Sequence, residues 1–448
     1  LPPLLLLFPV LAALGRYATV DLSPRMFPNV YVAVCAVTVL PASLSLFRGS
    51  RWRGALPTAF VALVVAWVVW APATLVWAPD VAFGIDRISL VSGALISGVC
   101  VLGLVSRMPS GLRLLRLGWT GAFVVTAGIA LWELSTGRHL DAAPGAIRSA
   151  YVVTSTFYNP NSYSGFLLSC LPFLTWNGIA ARSWAGRYLH LVLVALCLML
   201  IVATQSRTGV IGAMAALPVI GVWVVRAAWL RRRPILLPTL FLGLPIAVAL
   251  AFLSTTTPAQ QILTQLQAQF VSDGISESDQ ARLNLTMLGW RMFLDSGLLG
   301  QGAGSFGIVS NYWTGIETFG LTNAHNGVIE VAAEYGLPVL VPLLAVVCVL
   351  AFWAVFGPFP ASSRAEALDL RMATGLGLAA VVASNLVASS VLMTPSWWLL
   401  LGQMTAQAWL LPQIWSEAAG RTGVRDPGAH RTGQASRHLW AGSSAGGT

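Results

Sequence analysis

Arg207, Arg282, Arg291 and His325 are the residues whose types and spacing best suit chemistry on a phosphorylated substrate. A guanidinium stays protonated and presents planar, paired donors that match phosphate oxygens, so arginines suit a diphosphate clamp. A neutral imidazole near pH 7 accepts a proton from a hydroxyl. Together these functions describe a transfer in which a diphosphate departs and a hydroxyl attacks.

Each of these residues has a local setting and a competing explanation. Arg207 lies in Gln205-Ser206-Arg207-Thr208-Gly209, a short join between two apolar runs. It is either a phosphate clamp or an arginine reaching up to lipid headgroups. Arg282 follows Asp279-Gln280-Ala281, and Arg291 comes nine residues later. That spacing is about two and a half helical turns, so the two arginines fall on opposite faces and at most one shares a site with Arg207. The alternative for either is a solvated or headgroup-facing charge. His325 stands in Asn323-Ala324-His325-Asn326, followed by Glu330 and Glu334 at helical spacing. It is a proton acceptor or a hydrogen-bonded structural histidine, and the glutamates orient the site or polarise a helix entrance.

Two further motifs are candidates for substrate contact. The run Leu298-Leu299-Gly300-Gln301-Gly302-Ala303-Gly304-Ser305-Phe306-Gly307 has backbone freedom suited to phosphate or sugar. Gly302 and Gly304 form no nucleotide fingerprint, because no strand precedes them, and a tight re-entry turn explains the run equally well. Phe157-Tyr158-Asn159-Pro160-Asn161 precedes an apolar run. Asn159 and Asn161 are sugar-binding candidates, or Asn159 is simply a helix cap. No Asp-x-Asp pair and no second histidine accompanies His325, so neither a divalent metal nor another cofactor is expected at the site.

The elements that must position these residues are membrane helices. The 448 residues are 56% hydrophobic and 9% charged, against about 25% charged in soluble proteins. Apolar runs recur at 1–14, 30–47, 55–77, 88–106, 114–132, 163–181, 188–204, 209–226, 235–253, 335–356, 372–393 and 396–414. The pattern predicts an all-α, polytopic membrane protein of about 12 transmembrane helices. All 26 basic residues are arginine. With the N-terminus in the cytoplasm, every inside loop is arginine-rich, which supports this topology and places both termini inside. The same distribution argues against nucleic acid as a partner, since the arginines mark loops rather than one basic face.

Residues 1–415 therefore form the polytopic domain, and 416–448 read as a disordered cytoplasmic tail rich in Gly, Ser, Ala and Arg. The extracytoplasmic loop 254–326 is long enough to fold. Ile262, Leu266 and Phe270 predict an amphipathic helix at the interface. Asp279 to Asp295 predicts a second, with Leu283, Met287, Trp290 and Leu294 on one face. The stretch 1–14 lacks an initiator Met and reads as a clipped first helix, with no cleavable signal expected. Cys35, Cys100, Cys170, Cys197 and Cys348 read as small apolar residues rather than a disulfide framework.

The ordered motifs resemble the O-antigen ligase and O-antigen polymerase superfamily of bacterial membrane glycosyltransferases. The features are Asn159-Pro160-Asn161, Ser206-Arg207-Thr208-Gly209, Arg282 with the glycine-rich run, and His325-Asn326 with Glu334 and Gly336. They span roughly 155–345. The resemblance implies a glycosyltransferase of the C type and an undecaprenyl-diphosphate-linked glycan donor. It also implies metal-independent, inverting transfer. It assigns Arg207 and Arg282 to the diphosphate and His325 to the acceptor; Arg291 has no clear match. Ser206, Asn326 and Glu334 fall within the matched motifs and are taken as substrate-binding candidates.

The expected activity is transfer of a glycan to an acceptor hydroxyl at the outer face of the cytoplasmic (inner) membrane. The acceptor is a glycan, a lipid or a protein. The alternatives are a polymerase of the same superfamily, a polytopic glycolipid transporter and a non-catalytic assembly subunit. The scarcity of Asp and Glu within the spans weighs against a transporter.

Overall fold

The computed structural model describes residues 2–17, 30–48, 55–108, 110–140, 151–232, 260, 264, 267, 277–312, 323–357, 364–385 and 391–421. Spans 235–253 and the amphipathic pattern 262–270 lie outside them for the most part, as does the chain after 421.

Among the described residues the protein is helical, without strands. Helices α1 (Pro2–Leu14), α2 (Val30–Arg48), α3 (Ala55–Ala73), α4 (Val81–Arg107) and α5 (Gly111–Thr136) come first. They are followed by α6 (Pro160–Ala180), α7 (Trp184–Ala203) and α8 (Arg207–Leu230). After the long loop come α9 (Glu277–Asp295), α10 (Ser305–Tyr312), α11 (Gly327–Phe356), α12 (Arg364–Asn385) and α13 (Pro395–Arg421). Seven of these, α3, α4, α5, α7, α8, α11 and α12, are long and apolar enough to cross a membrane; α1 and α2 are shorter apolar helices. The protein is thus a multi-pass membrane protein, as its composition predicts. Close helix approach uses small residues, as lipid-embedded packing requires. A methyl at Gly402 of α13 would lie 2.5 Å from Gly98 Cα of α4.

Two polar clusters fix which helix ends lie together. Arg231, just past α8, pairs with Asp369 in the second turn of α12, and Trp223 donates to the same carboxylate at 2.9 Å. Arg116 near the start of α5 lies within electrostatic reach of Asp369. Arg371 donates to the carbonyl of Gly357, which ends α11. The C-termini of α8 and α11 therefore share an end of the bundle with the N-termini of α5 and α12. Their N-termini, at Arg207 and Gly327, share the other.

The second end is built by close contacts too. A methyl on Gly165 of α6 would meet Ser384 Oγ of α12 at 2.4 Å, and one on Gly209 of α8 would meet Ser164 at 2.7 Å. Val153 N donates to Ala203 O at 3.2 Å. Glu133, at the end of α5 and fully buried, accepts from Thr154 N at 2.9 Å and Ser155 N at 2.8 Å. These bonds anchor the segment leading into α6.

Helix α11 is broken on purpose at Gly336 (φ 66°, ψ −165°). Pro338 has no N–H for the carbonyl of Glu334, and the turn at Gly336 takes Leu337 N away from Ala333. The glycine-rich run supplies the missing partners. Gln301 N donates to Ala333 O at 2.8 Å, Gly302 N to Glu334 O at 3.1 Å, and Leu337 N turns to Leu298 O at 2.9 Å. The run is therefore a backbone splint across a helix break, which is the re-entry turn in a specific form.

Some boundaries differ from the hydropathy pattern. Helix α4 begins at Val81 rather than 88, because Asp80 caps it by accepting from Phe83 N at 3.0 Å. Arg87 is consequently a helical residue. Helix α11 begins at Gly327 rather than 335, since Asn326 caps it. Four cysteines are buried and Cys348 is exposed.

Candidate functional site

The segments carrying Arg207 and His325 start their helices in the same way. Gln205 has φ 52° and His325 φ 49°, left-handed values that are uncommon for residues with a side chain. Each precedes an N-cap. Ser206 accepts from Gly209 N at 3.2 Å, and Asn326 accepts from Val328 N at 3.1 Å and Ile329 N at 3.2 Å. Asn159 caps α6 likewise, accepting from Asn161 N at 2.8 Å. Three helix N-termini thus lie at one end of the bundle, and such ends carry partial positive charge.

Arg207 is half-buried in the first turn of α8, beside the start of α6. Asn159, Asn161, Ser206 and Arg207 form one flank of this end. His325 is buried just ahead of α11 on the other flank, and α3, α9 and α10 pack on that helix. The flanks are joined by α12, which packs on α6, α8 and α11.

Arg282 is brought to the His325 flank by α9. The buried face of that helix, Leu285, Leu288 and Met292, packs with Phe306, Ala333 and Ala324, the neighbour of His325. Arg282 is half-buried beside buried Ala281; Arg291 is exposed. The Leu283, Met287, Trp290 and Leu294 stripe faces away from the protein, each residue 44–50% exposed. Helix α9 is therefore apolar on two opposite sides, with the arginines on the flanks between.

Gly302 and Gly304 pack against protein. Methyls there would lie 2.7 Å from Ala78 Cα and 2.7 Å from Phe83 Cδ1. Trp77 Nε1 donates to Gly300 O at 2.9 Å, and Ala303 N donates to Thr74 Oγ1 at 3.2 Å. Glu334 is buried, and its Oε1 accepts from Phe306 N at 3.2 Å, at the start of α10. Asn326, Glu334 and the glycines thus build the frame around His325. Among the described residues no three His, Cys, Asp or Glu side chains gather as metal ligands.

One residue of this frame, Arg87, has no part in the sequence reading; it falls between the apolar runs 55–77 and 88–106 and reaches Asn323 Oδ1 at 3.3 Å. Glu330, one turn before Glu334, is buried as deeply. The aspartate cap ahead of Val81 was the available signal for Arg87. An acidic pair at helical spacing gives no sign of whether it is solvated or buried.

Residues 191–344 match the family described as O-antigen ligase. The match contains Arg207, Arg282, Arg291, Gly302, Gly304, His325, Asn326 and Glu334. The chain is also 24% identical over 309 residues to the teichuronic acid biosynthesis protein TuaE of Bacillus subtilis (strain 168). That alignment covers 68% of this chain and 62% of the relative. The resemblance to the O-antigen ligase superfamily, first read from the order of short motifs, is carried by both matches.

Proposed function

We propose that this protein is a glycosyltransferase of the cytoplasmic membrane that moves a glycan from an undecaprenyl-diphosphate carrier to an acceptor hydroxyl at the outer face. Both termini are cytoplasmic in this reading, and residues after 415 form the cytoplasmic tail. The observation that carries it is the common end of the bundle at which Arg207 and His325 start their helices, inside the segment similar to O-antigen ligases.

The carrier's diphosphate lies between Arg207 and Arg282, near the N-termini of α6 and α8. Asn159, Asn161 and Ser206 line the donor's approach, and Arg291 attracts its charge from the exposed side of α9. The acceptor hydroxyl attacks the anomeric carbon from the face opposite the diphosphate. The new C–O bond forms as the bond to the phosphate oxygen breaks, and the diphosphate leaves with that electron pair. His325 takes the hydroxyl proton. Fixed guanidinium charge stabilises the departing group without a divalent metal, and preorganised charge is commonly the largest catalytic contribution.

A second reading within the class is polymerisation of lipid-linked units. The similarity to a protein named for teichuronic acid biosynthesis favours a polymeric product and is compatible with either. The deciding experiment supplies purified protein with a lipid-diphosphate glycan and scores released undecaprenyl diphosphate. No release with any hydroxyl acceptor, in a preparation that stays folded, rejects transfer.

A further inference from the structure

We propose that Arg87 is a positioning residue for His325: it holds the segment of chain that delivers the imidazole. The inference rests on the reading of His325 given above, and adds a residue that lies outside the segment matched to the family, 191–344.

Arg87 lies one and a half turns into α4, about 9 Å along its axis, and is half-buried. Its Nη2 donates to Asn323 Oδ1 at 3.3 Å, two residues before His325. Its Nη1 lies 2.9 Å from Met393 Sδ, just ahead of α13. Its Cζ lies 5.2 Å from the ring centre of Phe83. Gly304 leaves room for its stem: a methyl there would be 3.3 Å from Arg87 Cγ. One side chain of α4 thus passes beside the splint and ties the His325 segment to the entrance of α13.

The left-handed backbone at His325 persists only where its surroundings hold it. The bond from Arg87 to Asn323 is one such constraint.

The test uses the full chain in nanodiscs, with Arg87→Ala, Arg87→Lys, Asn323→Ala and Arg87→Ala/Asn323→Ala. The first readout needs no turnover: the rate at which diethyl pyrocarbonate modifies His325, followed by mass spectrometry. The second is kcat and KM for a lipid-diphosphate glycan. Arg87→Ala is expected to change the His325 modification rate by at least about fivefold. It is expected to lower kcat by at least about tenfold, with donor KM within about twofold. Adding Asn323→Ala is expected to add little to either change, because the two residues act through one bond. Should Arg87→Ala fail to fold, Arg87→Lys and Asn323→Ala carry the comparison. Unchanged His325 reactivity overturns the proposal. So does a rise in KM at constant kcat, which would make Arg87 a donor contact, or a double variant in which the two single effects simply add. Wild-type protein that releases no carrier sinks the functional reading, while the labelling data still judge the role of Arg87.

Discussion

Asp369 holds the Arg231 guanidinium at 2.5 Å, and this pair closes the end of the bundle farthest from His325. Asp369 is 1% exposed and Arg231 16%, so removing one partner strands a buried charge. Arg231→Met is expected to destabilise the protein by about 3–5 kcal/mol. Asp369→Asn, which keeps a hydrogen-bonding oxygen for Trp223, is expected to cost less. Thermal midpoints in detergent give the comparison, and equal midpoints for Arg231→Met and wild type would contradict the structural role.

The left-handed backbone at His325 separates its chemistry from its geometry. Asparagine tolerates that conformation better than alanine does. His325→Asn should therefore retain wild-type stability and membrane level while transfer falls by about 100-fold or more, the range for a lost general base. Arg207→Ala should lower transfer comparably. Near-normal glycan product from His325→Asn would remove the imidazole from the mechanism.

Gly336→Ala should be among the most damaging single-methyl changes in the chain. The added carbon would lie 2.3 Å from Leu299 C and 2.4 Å from Leu298 O, at a residue with φ 66°. Strain of this kind costs of order 1–3 kcal/mol before any clash is counted. Gly128→Ala in α5 is the control, since nothing lies within 4 Å of its added methyl. It should be neutral or stabilising by up to about 1 kcal/mol. Midpoints that fall equally for both variants would deny the splint its role.

A strain lacking this protein distinguishes the two transfer readings. Loss of a polymerase leaves single lipid-linked units; loss of a ligase leaves long lipid-linked chains. Gel separation of the carrier-bound glycans reads the outcome, and unchanged carrier-bound glycan would count against both.

Hydropathy made the helices legible because a bilayer demands long apolar runs, and α3, α5, α7 and α8 fall where those runs lie. It misplaced the starts of α4 and α11, where polar caps and charged residues early in the helix extend it beyond its apolar part. That is why Arg87 falls in a gap between apolar runs rather than in one. The identities of Arg207 and His325 as candidates came from motif order. Their common end of the bundle follows from the pairing of Asp369 with Arg231 and of Arg371 with Gly357, contacts across long sequence separations that no local spacing encodes. Gly302 and Gly304 show the same limit: the sequence announces backbone freedom, and only the fold reveals a neighbouring helix break that uses it.

The break at Gly336 has a mechanical consequence. Past it, α11 is a shaft with exposed apolar residues such as Val341, Phe352 and Val355; before it, a two-turn head is bound to the splint and to α10. Bilayers of different thickness impose different tilts on such a shaft. The splint is bonded on both sides of the break, to Ala333 and to Leu337, so a tilt of the shaft reaches the imidazole through the run 298–302 as well as through Gly336.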